Sequence, residues 1–271
     1  MTIPCFALVC SDSALLDTAI APFAPSLLTD GPQGWGMAYY QNGQPLLRKQ
    51  PRPTEGPLDL AAAASNLKTS ILIGQLREPS DTPNLNENTP PFRFRHWTCS
   101  LLGAPKNLGD AQAQVEDAIP DFIRRNIRGQ TSGEVLFHLL LAFLNDAGKL
   151  DDPRAPAANV ARALSSTLAY VDSLVGDDWD YCCIASNGHT LVATHRGLPL
   201  HLTRHSSYRN VGTGPDDKPL SYPHLRAAMI LGGKMPEGEG WERVAEDVVL
   251  MANADLDIEL TTPPSSSSPV S

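Results

Sequence analysis

The run PCFALVC (4–10) is apolar almost throughout and predicts a short buried strand. WGMAYYQNGQPLLRKQ (35–50) has strand-type residues on both sides of Asn42-Gly43, a pair that supplies the two positive-φ residues of a type I′ turn, and so predicts a hairpin. Pro57 opens PLDLAAAASNL, which reads as a helix with a first-turn proline, and SILIGQLR (70–77) follows as an apolar strand. The Pro-rich stretch DTPNLNENTPPFRFR (81–95) predicts a loop before a strand in HWTCSLLG (96–103). Residues 110–127 predict a helix kinked at Pro120. Residues 132–148 predict a second helix, with Thr131 and Glu134 as a capping box and Gly148 as its C-cap, and residues 158–174 predict a third.

The second half reads mostly as strand: DYCCIAS, HTLVATH, LPLHLTR, AAMILGG, EDVVLMANA and DIEL, with a turn at Asn187-Gly188 between the first two. Strands at both ends with helices between them predict an α+β fold, two stacked sheets covered by helices. No internal repeat is visible, so residues 1–260 read as a single domain. Residues 261–271, TTPPSSSSPVS, are Ser- and Pro-rich and predict a disordered tail.

Composition narrows the partners. A formal charge of −9 on 271 residues argues against nucleic acid and against an anionic membrane surface. Five cysteines without a CxxC spacing indicate neither a disulfide framework nor a zinc site. With no long apolar run and no signal-peptide pattern, the expected location is the cytoplasm, and no cofactor is indicated. His189, His195, His201 and His205 lack an accompanying carboxylate cluster, so no metal site is expected. PPFRFRHW concentrates Arg93, Arg95 and His96 among aromatic residues, which on an acidic chain suits a solvated loop or recognition of an acidic surface.

Six stretches occur in a telling order: PCFALV, QGWGMAYY, GQLREP, NTPPF, HWTCSLLG and TSGEVLF. Together with SNGHTLVATHRGLPLHL and the late Trp241, this order resembles the class II glutamine amidotransferases of the N-terminal-nucleophile (Ntn) hydrolase superfamily. The resemblance spans roughly residues 5–260 and implies a four-layer αββα sandwich. It also implies roles: Cys5 as nucleophile, Gly103 as an oxyanion donor, and Arg77 with Ser132, Trp35 and Gly36 around a ligand.

Several polar landmarks of that family are replaced here. Its His-Asn-Gly reads Leu101-Leu102-Gly103; the Asp that holds a substrate ammonium is Ser132; the His of His-x-Arg is Gln75; the Asp of Asp-Gly-Trp-Gly is Gln33; and the His of Thr-His-Pro is Pro90. Such a hydrolase attacks with residue one and uses its own α-amine as base. Cys5, joined to Pro4, has an amide nitrogen of no useful basicity. The expected function is therefore a binding or regulatory subunit without glutaminase activity, docking on a synthase, amidase or ligase or forming a homodimer, with Cys5 a small buried apolar residue. The alternative is an Ntn-type amidohydrolase or acyltransferase that uses Cys5 after removal of residues 1–4, on an amide or γ-glutamyl-like substrate.

Overall fold

The computed structural model describes residues 4–31, 34–53, 55–209, 220–246 and 248–262. Gln33, residues 1–3 ahead of Pro4, and residues 263–271 of the expected tail lie outside them. The chain builds fifteen strands and seven α-helices among the described residues. The strands are β1 (Cys5–Cys10), β2 (Leu28–Asp30), β3 (Trp35–Gln41), β4 (Gln44–Gln50), β5 (Pro57–Asp59), β6 (Ile71–Leu76), β7 (Phe92–Phe94) and β8 (Trp97–Leu102), followed by β9 (Tyr181–Ser186), β10 (Thr190–Arg196), β11 (Leu200–Tyr208), β12 (Tyr222–Gly232), β13 (Glu242–Arg243), β14 (Val249–Asn253) and β15 (Ile258–Thr261). The helices are α1 (Leu16–Ile20), α2 (Ala24–Leu27), α3 (Leu60–Ala63), α4 (Leu108–Asp117), α5 (Asp121–Arg124), α6 (Ser132–Asp146) and α7 (Ala157–Val175).

Two large antiparallel sheets stack on each other. One runs β13-β11-β12-β1-β6-β3-β4 and the other β15-β14-β10-β9-β8-β7. Side chains alternate across β1: Cys5, Ala7 and Val9 enter the core between the sheets, and Phe6, Leu8 and Cys10 face the short helices α1 to α3. Cys182 and Cys183 divide in the same way, the first between the sheets and the second under α6 and α7. A strand covered on both faces must be apolar at almost every position, which is why β1, β6 and β8 read as continuous apolar runs. The result is an αββα sandwich, with α4 to α7 covering the six-stranded sheet.

The β3–β4 hairpin turns at Asn42 (φ 52°) and Gly43 (φ 74°), as expected of a type I′ turn. Thr131 caps α6, its Oγ1 accepting the Glu134 N–H at 3.4 Å, but the Glu134 carboxylate turns to other donors, so only half of the capping box forms. Three expectations are corrected. Residues 57–59 pair with β2, and the helix starts only at Leu60, where the Asp59 carboxylate accepts the Ala62 N–H at 3.0 Å. Pro120 sits at ψ 141°, so it separates α4 from α5 instead of kinking one helix. The stretch read as loop ends in β7, an edge strand paired with β8, where Phe92 and Phe94 turn inward and Arg93 outward. No helix among the described residues is long and apolar enough to cross a membrane.

Candidate functional site

Strand register brings the landmark residues to one end of the sandwich. Cys5 pairs with Gln75 on β6, and Gln75 pairs in turn with Gly36 on β3. Gln75 is buried between the sheets, where its amide donates to the Leu101 carbonyl at 3.0 Å and accepts the Ser100 hydroxyl at 2.6 Å. This polar bridge ties β6 to β8 beside Cys5. Leu102, also buried, belongs to the same inter-sheet core as Cys5 and Cys182.

Cys5 is fully buried, with its sulfur 3.5 Å from that of Cys182. Its nitrogen is acylated by Pro4, whose carbonyl accepts the Leu76 N–H at 3.0 Å. The contact with Cys5 and burial push the Cys182 thiol well above its ordinary value. These are the surroundings of a small apolar side chain, for the core around it is built of Ala7, Val9, Leu102, Ile184 and similar residues.

A cleft of about 320 Å³ opens where β6 and β8 end, against the first turn of α6. Gln75, Arg77, Pro90, Leu101, Gly103 and Ser132 line it, so six positions singled out from sequence do converge. Cys5 is not among the lining residues. Trp35 is not either: it lies on the opposite face of β3 and packs against the core beneath the short helices. Gly36 serves close packing, for a Cβ there would lie 2.2 Å from the Pro90 carbonyl oxygen.

Arg77, buried at 4% exposure, is engaged by its own loop. Nη1 bonds the Asn84 side-chain oxygen, and Nη2 reaches the Thr82 carbonyl at 2.5 Å and the Thr82 hydroxyl at 2.7 Å. Only Nε is buried without a partner. The guanidinium that the resemblance assigns to a ligand carboxylate thus holds residues 80–84 in place. Replacing it (Arg77→Met) should lower stability by about 2–3 kcal/mol, because several carbonyl and hydroxyl acceptors lose a charged donor. Denaturant unfolding reads the loss, and limited proteolysis should cut first within 79–85.

Glu78, the next residue, was not singled out from the sequence, yet its carboxylate accepts the Gly103 N–H at 3.3 Å. Burial raises its pKa, and the bond from Gly103 opposes the rise. The backbone donor expected to receive an oxyanion therefore already faces a carboxylate of the same chain. Glu78 was visible beside Arg77 in QLREP, but its reach to Gly103 depends on how β6 and β8 stack. Among the described residues no group of three His, Cys, Asp or Glu side chains could hold a metal. His195 is buried instead between the carbonyls of Leu198 (2.6 Å) and Val244 (3.0 Å).

Comparison with known proteins gives a consistent picture. The family model for glutamine amidotransferases class-II matches residues 14–266. No curated protein matches by sequence. Among solved structures, the chain is similar to a glutamine aminotransferase class-II domain protein from Silicibacter pomeroyi, with a TM-score of 0.60 at 17% identity over 96% of this chain and 98% of that one. It is similar to a predicted glutamine amidotransferase from Pseudomonas aeruginosa, with a TM-score of 0.58 at 15% identity over 96% and 99%. It is also similar to the glutamine phosphoribosylpyrophosphate amidotransferase of B. subtilis, with a TM-score of 0.55 at 13% identity, covering 96% of this chain and 49% of that one. At these identities the likeness is one of fold, the Ntn-type amidotransferase sandwich.

Proposed function

The chain belongs to the class II glutamine amidotransferases, and we propose that within that family it is a binding or regulatory subunit without glutaminase chemistry. The observation that carries this reading is the state of Cys5, which is acylated by Pro4, buried against Cys182 in the core that also holds Leu102, and absent from the walls of the cleft. The α-amine base is missing, and the Gly103 donor faces Glu78. The cleft itself remains, about 320 Å³ with mixed polar and apolar walls, which is adequate for a small ligand. Without an acidic side chain at Ser132 and with Arg77 engaged elsewhere, that ligand is not glutamine. Docking on a synthase, amidase or ligase, or pairing with a second copy, would make such a subunit regulatory.

The test is the intact mass of the protein purified from its native host. The expected species retains Pro4 ahead of Cys5. A species beginning at Cys5 would overturn the reading, because the freed amine supplies the missing base and the Ntn amidohydrolase or acyltransferase alternative takes its place.

A further inference from the structure

A second cavity, of about 520 Å³, lies beside the cleft and shares its Phe92 wall. It is formed by β4, β7, the turn at 86–87 and the segment 122–128. Five cations line it, Lys49, Arg93, Arg95, Arg125 and Arg128, against two carboxylates, Glu87 and Glu134. On a chain of formal charge −9 this is a local reversal of sign.

Besides Lys49, three of these side chains have internal duties, Arg93 donating from Nη1 to the Pro45 carbonyl at 3.0 Å. Arg95 pairs with Asp151 and lies over the rings of Phe94 and Phe122, at 5.2 and 5.8 Å from their centroids. Glu134 accepts the backbone N–H groups of Arg128 and Gly129 at 3.0 and 2.6 Å. Lys49, Arg93, Arg125 and Arg128 form no ion pair among the described residues.

Lys49 sits at the floor of the cavity. Its ammonium donates to the Asn86 carbonyl at 3.0 Å and stands 5.6 Å from the centroid of Phe92. Burial pulls its pKa down to about 8, while Glu134 and Glu87 pull it up and Arg93 pushes it further down. A half-buried cation without a counter-ion is costly, and an arriving anion relieves that cost. Arginine forks present paired donors that match phosphate or carboxylate oxygens. A single carboxylate would leave most of the positive charge uncompensated.

We propose that this cavity binds a compact polyanionic metabolite carrying two or more phosphate or carboxylate groups, with Lys49 at its floor and Arg93, Arg125 and Arg128 around it. Its volume falls within the usual range for small-molecule pockets. The inference does not depend on whether Cys5 is catalytic.

The test is isothermal titration of the full chain with pyrophosphate, and separately with citrate, at an ionic strength held constant with potassium chloride. Saturable binding at one site per chain is expected for at least one of the two. Binding of pyrophosphate alone assigns phosphate chemistry, and binding of citrate alone assigns polycarboxylate chemistry. Arg125 and Arg128 are exposed, so the double variant Arg125→Ala, Arg128→Ala should fold with an unchanged melting temperature and bind about tenfold more weakly or worse. Where citrate binds, its affinity should also fall between about pH 7 and about pH 9 as Lys49 loses its proton, and Lys49→Met should flatten that profile. No saturable heat with either anion, or binding that the double variant leaves unchanged, overturns the proposal.

Discussion

Purified protein incubated with glutamine will release no glutamate above the uncatalysed background, and Cys5→Ala will leave that background unchanged. The expected deficit against a competent amidotransferase compounds two losses. A positioned general base contributes about 10²- to 10⁴-fold, and here the nitrogen that would serve is the amide joining Pro4 to Cys5. An oxyanion donor contributes about 10²- to 10³-fold; position 102 offers a leucine side chain, and the Gly103 N–H faces Glu78. Putting polar residues back should not rescue turnover. Leu102→Asn would bury an amide among the apolar neighbours of Cys5 and Cys182, at a cost of about 1–3 kcal/mol, while the base stays absent. A coupled glutamate assay on parent, Cys5→Ala and Leu102→Asn proteins decides the matter. Glutamate release that disappears with Cys5→Ala would show that the thiol is a nucleophile after all.

Long apolar runs could be read from the sequence because burial on both faces leaves little choice of residue. β1, β6, β8 and β9 are of this kind, and α6, with most of its length buried between a sheet and its neighbouring helices, is another. Elements that exist only through a distant partner could not be read. β5 is three residues long and is defined by its pairing with β2, and β7 carries prolines just before it and becomes a strand only by lying along β8. The same division runs through the site. The order of landmarks placed Arg77, Gly103 and Ser132 in one cleft. It did not show that Arg77 is enclosed by residues 80–84, that Gln75 bridges to Ser100 and Leu101, or that Glu78 reaches Gly103. Each of these depends on where a loop or a facing strand lies in space, which neither periodicity nor motif spacing records.

Gly103→Ala should destabilise the fold by about 3–4 kcal/mol, more than Arg77→Met in the same cleft, even though the proposed function gives Gly103 no catalytic use. The residue sits at φ +81°, where a side chain costs about 1–2 kcal/mol. An added Cβ would also stand 2.2 Å from the Asp180 carbonyl oxygen and 3.1 Å from its carbonyl carbon. Both obstacles are backbone at the start of β9, so β8 and β9 would have to separate, adding roughly 1–3 kcal/mol of packing strain. In a domain of this size the melting temperature should drop by about 10 °C. Glu78→Gln, which keeps an acceptor near the same N–H, should move stability by less than about 1 kcal/mol. If Gly103→Ala instead proved neutral, its presence would have to be explained by the N–H alone, and an oxyanion role would regain weight. If the expected loss is found, Gly103 is required by the approach of β9 and Gly36 by the approach of Pro90, and neither requirement depends on turnover. Steric demands of this kind would keep the glycines in place whatever stands at the polar positions, which here hold Gln75, Pro90, Leu101, Leu102 and Ser132.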